Sequence, residues 1–240
     1  MFTIVAASLA VAVATQDQRP ALPLSITKTW IETSEPSKAV PAGTGFPRVE
    51  VLNTGQRPIL AWGVKWVLKR PDGQHVGSSG FSVDAAGVPP EDRTMVVAPG
   101  QTAHQDRGGA VVPADALFSD VSLTFVIFDD DTALGDEQAI ARHFARRRER
   151  QGFWQRMQTI LDDATANVAE PSAVLLRIRQ RMEAETDPNF REEPYYNEIL
   201  ARMSARRMEL TKMTPEKVLT NIQTTVSRQK ANADAHVNRQ

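Results

Sequence analysis

The hydrophobic period changes once along this 240-residue chain, and that change limits the folds open to it. Up to about residue 130 apolar side chains recur at every second position, the signature of strands with one buried face. Beyond it they recur every three or four positions, as on an amphipathic helix. Turn-forming residues divide at the same place. Twelve of the 13 glycines lie at or before Gly135, and 11 of the 15 prolines at or before Pro113. An α+β fold is expected, with antiparallel strands first and helices after. Its parts are a β region over residues 22–130, a helical region over 131–230 and a flexible tail over 231–240.

Ile59 to Lys69 gives the clearest strand, placing Leu60, Trp62, Val64, Trp66 and Leu68 on one face. Pro71-Asp72-Gly73 turns it, and His75 to Val83 can return antiparallel. Arg48 to Asn53, Val121 to Phe128 and, more weakly, Leu24 to Ile31 and Thr94 to Val97 complete the set. On Val121 to Phe128 the odd positions, Val121, Leu123, Phe125 and Ile127, read as the core face. Trp62 and Trp66, with Trp30, could stack sugars, but their apolar neighbours make them core residues first.

This order of strands, with Val-Glu-Val-Leu-Asn-Thr-Gly at 49–55 and Ala-Pro-Gly-Gln at 98–101, resembles the immunoglobulin-like or fibronectin-like sandwiches of exported bacterial proteins. The resemblance covers roughly residues 22–130 and rests on turn chemistry. It implies binding or presentation, with no catalytic residue and no cofactor.

In the second part Ile140, Phe144, Met157, Leu161, Ala164 and Val168 share one stripe. If Gly152 does not interrupt it, Asp136 to Val168 is one helix about 50 Å long. Ser172 can cap a second helix to about Thr186; Pro194 to Lys212 and a last helix from Pro215 toward Lys230 follow. A stripe of that length needs cover, either from the later helices or from a second chain. An unknown protein partner, or self-association through the helical region, is therefore expected.

Phe2 to Ala14 is nearly all apolar and ends in Ala12-Val13-Ala14, a pattern suited to signal peptidase. Residues 1–14 read as a signal peptide even though no Lys or Arg precedes the apolar run, and the mature protein is expected to be periplasmic or secreted. Such a run is too short to cross a hydrocarbon core about 30 Å thick, so no membrane span is expected. With 28 basic and 29 acidic side chains the net charge of −1 offers no general attraction to nucleic acid. The absence of cysteine removes disulfides, thiolate metal sites and cysteine nucleophiles.

Three constellations remain that could carry chemistry. Asp129, Asp130, Asp131 and Asp136, with Glu137, place five acids within nine positions; carboxylates at a turn can hold calcium, although EF-hand spacing is missing. Helix capping by Asp131 or Thr132 is the competing reading. Arg142, Arg146 and Arg150 align at i, i+4 and i+8 and could grip an acidic partner or a phosphate, or simply face solvent. His75, His104 and Asp106 could converge in the sandwich and bind a metal; these groups and the acidic turn at 129–136 make a metal-dependent hydrolase the alternative to a noncatalytic envelope module.

Overall fold

The structure, a computed structural model, describes residues 21–33, 41–87, 95–104, 111–166, 168 and 170–237. The expected signal peptide and Asp106 lie outside them. Among the described residues eight strands come first: β1 Leu24–Thr33, β2 Thr44–Asn53, β3 Ile59–Lys69, β4 His75–Asp84, β5 Thr102–His104, β6 Val112–Pro113, β7 Leu117–Phe128 and β8 Ala133–Gly135. They are followed by α1 Glu137–Thr165, α2 Pro171–Ala184, α3 Pro188–Glu192, α4 Pro194–Arg202, α5 Ala205–Thr211 and α6 Pro215–Val237. Among the described residues no helix is long and apolar enough to cross a membrane.

All strand pairs are antiparallel, and they form two sheets. One runs β1-β2-β5 with β6 also on β2, and the other runs β4-β3-β7-β8. Their facing sides share one core, in which Val49 and Val51 of β2 meet Trp62, Val64, Trp66 and Leu68 of β3. Burying both indoles contributes far more than stacking them on a ligand could, and Trp62 and Trp66 are 0% and 3% exposed. Trp30 remains half-buried on β1. The expected strand at Thr94 to Val97 reduces, in its described part, to a single bridge between Val97 and Ile59.

β7 departs from the expected alternation. Its register against β3 shifts between Phe125, opposite Gly63, and Leu123, opposite Val64. The extra residue turns the strand over. Val121 and Leu123 face the core between the sheets, but beyond the shift Val126 and Phe128 do so, and Phe125 and Ile127 face outward. That outward face is closed by α1, whose Ala139, Ile140 and Phe144 pack on Phe125, Ile127 and Ala61. Gly63 lets Phe125 lie flat there, since a Cβ would come within 2.5 Å of the Phe125 ring.

Residues 133–135 form the edge strand β8 before the helix begins. The turn into α1 occurs at Gly135, where φ is +126°, a conformation open to glycine at little cost. α1 then runs 29 residues without a break at Gly152, about 44 Å. Its first half lies on the sheet, while Phe153, Trp154, Met157, Leu161 and Ala164 enter a separate helical core with α2, α4 and α6. The long apolar stripe is thus covered from within the chain. Where one helix was expected over Pro194 to Lys212, Ser204 ends α4 and caps α5 by accepting from Arg207 N–H at 3.2 Å. The second helix is capped by Glu170 with Pro171 at its first position, not by Ser172.

The expected flexible tail is corrected as far as residue 237. α6 continues helically to Val237, with Asn232 and His236 6% and 4% exposed, because its end packs against the turn at 85–87 and the turn after β7.

Candidate functional site

Sheet, turn and both long helices meet at one buried charge cluster. Asp84 ends β4, and its carboxylate accepts from Ala86 N–H at 2.9 Å. Asp131 stands in the turn after β7 with φ +63°, a left-handed conformation that Asp tolerates better than most residues. Between them lies Arg147 of α1. Its Nε and Nη2 donate to Asp84 at 3.0 and 2.9 Å, and its Nη1 donates to Asp131 at 2.7 Å. The planar guanidinium fork suits this arrangement in a way a lysine would not.

Two histidines flank the arginine. His143 Nε2 lies 3.0 Å from Asp84 Oδ2, off the line of a good hydrogen bond, and its ring packs tilted against Phe125 with the centroids 5.0 Å apart. His236 Nδ1 lies 3.3 Å from Asp131 Oδ2, bringing the end of α6 to the same carboxylate pair. Asn232 Nδ2 donates to the Ala86 carbonyl. Burial opposes the charge of Asp84, yet the contacts from His143 and Arg147 outweigh it and hold the carboxyl well below the usual carboxylate range. Burial likewise opposes the charge on Arg147, and its two carboxylates more than restore it. The cavity beside the cluster, bounded by Arg150 and Trp154 among others, encloses about 20 Å³, room for one water.

The acidic turn is divided among separate tasks. Asp129 is exposed. Asp130 accepts from Thr132 N–H and Oγ1 at 3.0 and 2.7 Å and pairs with Arg57. Those hydrogen bonds, with Arg57, keep its carboxyl below the ordinary value. Asp131 faces Arg147, and Asp136 caps α1 by accepting from Ala139 N–H at 2.8 Å, the role sequence reasoning gave to Asp131 or Thr132. Among the described residues no three His, Cys, Asp or Glu side chains are grouped to hold a metal ion.

The other two sets are also separated. His75 is exposed at the start of β4, 3.2 Å from Ser78 Oγ, and pairs with Lys69 at one end of β3. Asp131 lies beyond Phe128, which pairs with Ile59 at the opposite end. His104 is on β5, 6.2 Å from the Trp30 ring. Arg150 turns to Glu193 at 3.7 Å, away from Arg142 and Arg146. Burial raises the Glu193 carboxyl above its ordinary value, against the pull of Arg150.

Arg142 and Arg146 instead line an open groove of about 350 Å³ between α1 and the outer face of the second sheet. Lys65 of β3 lines the sheet side of this groove, as do Ser82, opposite Gly63 on the same outer face, and Thr124. All three cations are exposed, and none forms an ion pair or hydrogen bond with another described residue.

Asp84, His143, Asn232 and His236 escaped sequence reasoning. For His143 and Arg147 a signal existed: they fall three and seven positions after Ile140, on the apolar face of α1, where a solvated charge does not belong. Nothing local marks Asp84 or Asn232.

No family model and no curated protein matches this chain. Among solved structures, a hypothetical protein from Peptoclostridium difficile 630 aligns over 49% of this chain and 88% of its own, with 12% identity and a TM-score of 0.28. A likeness that slight carries no argument.

Proposed function

We propose that this protein is a noncatalytic interaction module of the cell envelope, an immunoglobulin-like sandwich to which a helical arm is fastened rigidly, exported by its amino-terminal segment. One observation carries the reading. The convergent titratable groups, Asp84, Asp131, His143, Arg147 and His236, are spent on one another at the seam between sheets and helices. The adjoining cavity of about 20 Å³ admits no substrate. An active site needs groups converging on an accessible space, whereas His75 and His104 stand on strands of different sheets, and His75 and the acidic turn at opposite ends of β3. The two facing antiparallel sheets support the immunoglobulin-like assignment, and the Ala12-Val13-Ala14 pattern supports export.

The test is a turnover assay of the purified full chain. Chromogenic ester, phosphoester, peptide and glycoside substrates are offered with and without added zinc or calcium. No saturable turnover is expected. Turnover lost in His75→Ala or His104→Ala would restore the hydrolase reading.

A further inference from the structure

We propose that the groove between α1 and the second sheet docks an extended acidic segment of a partner protein, one carrying carboxylates at alternate positions. This rests on the module reading above and names its partner chemistry. Charge complementarity is the first argument. Lys65, Arg142 and Arg146 converge on one groove from two elements, are exposed, and form no ion pair with another described residue; Asp136 is the one carboxylate among the described residues that line the groove with them. The buried or half-buried Arg48, Arg147 and Lys230, by contrast, are paired with Glu32, Asp84 and Asp234.

Spacing is the second argument. Arg142 and Arg146 are one helical turn apart, four residues at about 1.5 Å each, or about 6 Å. In an extended chain, side chains on one face recur every second residue, about 6.6 Å apart. Two alternate carboxylates therefore meet both guanidiniums in register, and a third group can reach Lys65 across the groove. Bidentate carboxylate recognition is the geometry at which arginine excels. Ser82 and Thr124 offer donors and acceptors to the backbone of such a segment.

Size and field favour a peptide over nucleic acid. A space of about 350 Å³ takes only a few residues. Asp136 at the α1 end opposes a continuous polyanion, and the net charge of −1 supplies no long-range attraction to one.

Fluorescence anisotropy of the full chain with a labelled peptide, Gly-Glu-Thr-Glu-Thr-Glu-Gly, tests this directly. Binding is expected at low salt. It should weaken about tenfold or more in Arg142→Glu/Arg146→Glu and several-fold in Lys65→Glu. Thermal melts of these variants should match the parent, since all three side chains are exposed. Inorganic phosphate and a single-stranded oligothymidylate serve as competitors. The proposal fails if the peptide does not bind at low salt, if the double variant binds it equally well, or if either competitor displaces it at equal charge concentration. Such a failure leaves the turnover assay untouched, so the docking site and the module reading fall separately.

Discussion

Arg147 and Asp84 meet through two parallel hydrogen bonds, Nε to Oδ2 at 3.0 Å and Nη2 to Oδ1 at 2.9 Å, across the seam between the long helix and the end of β4. The arginine side chain is 5% exposed and that of the aspartate 13%. Because Arg147 also holds Asp131, one side chain sets where α1 sits on two separate parts of the β region. Position along a helix is otherwise weakly fixed by small apolar contacts such as Ala139 on Ile127. A three-way charge contact of defined geometry fixes it.

Removing the arginine alone should be costly. Arg147→Met leaves two buried carboxylates without their main counter-charge, facing only His143, His236 and the Ala86 N–H, and a loss of about 3 kcal/mol is expected. Adding Asp84→Asn and Asp131→Asn removes those charges, and Asn accepts the left-handed backbone at position 131. The triple variant should recover much of the loss. Urea denaturation followed by circular dichroism measures both, and equal stability of Arg147→Met and the parent refutes the interlock.

Acid should loosen the same seam. The folded protein holds the Asp84 carboxyl below its ordinary value, so between the two the unfolded chain binds more protons. Stability from this group is full above the ordinary carboxylate range and is lost as pH falls toward the depressed folded value. Melting temperatures from about pH 7 down to about pH 3 should fall less steeply in Asp84→Asn than in the parent. Parallel profiles would mean that Asp84 gains nothing from its partners.

The end of α6 should matter to the sheets. A chain stopped at Ala231 lacks Asn232, which donates to the Ala86 carbonyl, and His236, which faces Asp131. It also lacks Asp234, which accepts from Gln151 Nε2 at 2.8 Å. A loss of about 2–3 kcal/mol is expected for these buried partners. Hydrogen exchange should rise at residues 84–86 and in the first half of α1. Exchange unchanged there would show the last turn of α6 to be ornamental.

What could be read from the sequence follows from range. The alternation along β3 and the stripe along α1 are local, and both gave the correct element type. On β7 the pattern misleads, because Val126 and Phe128 are as apolar as Phe125 and Ile127. A strand covered on both faces keeps no record of which face is which. The bulge that decides it depends on Gly63, 62 residues earlier. Lys65 is readable as an outward residue of β3 and Arg142 with Arg146 as one helix face, but only docking of α1 on the sheet joins them into a groove. Asp84 and His236 are 152 positions apart, and no spacing rule connects them.

A chain ending at Asp131 is the sharpest test of how the two parts depend on each other. From sequence, the β region is expected to fold alone, and its core between the sheets is indeed separate from the helical core. Deleting the helices, however, strips the outer face of the second sheet, where Ala61, Phe125 and Ile127 are 0%, 4% and 0% exposed in the full chain. Asp84 and Asp131 lose Arg147 at the same time. The expected product has a β-type circular-dichroism spectrum but associates in size-exclusion chromatography and binds a hydrophobic dye, since a contiguous apolar patch on a sheet is an association site. Phe125→Ser with Ile127→Thr should convert it to a monomer while leaving the inner core intact. If the unsubstituted chain is already monomeric and ignores the dye, the helix covers nothing the sheet needs covered. If the substituted chain fails to fold, Phe125 and Ile127 belong to a core that the sheets cannot complete without α1.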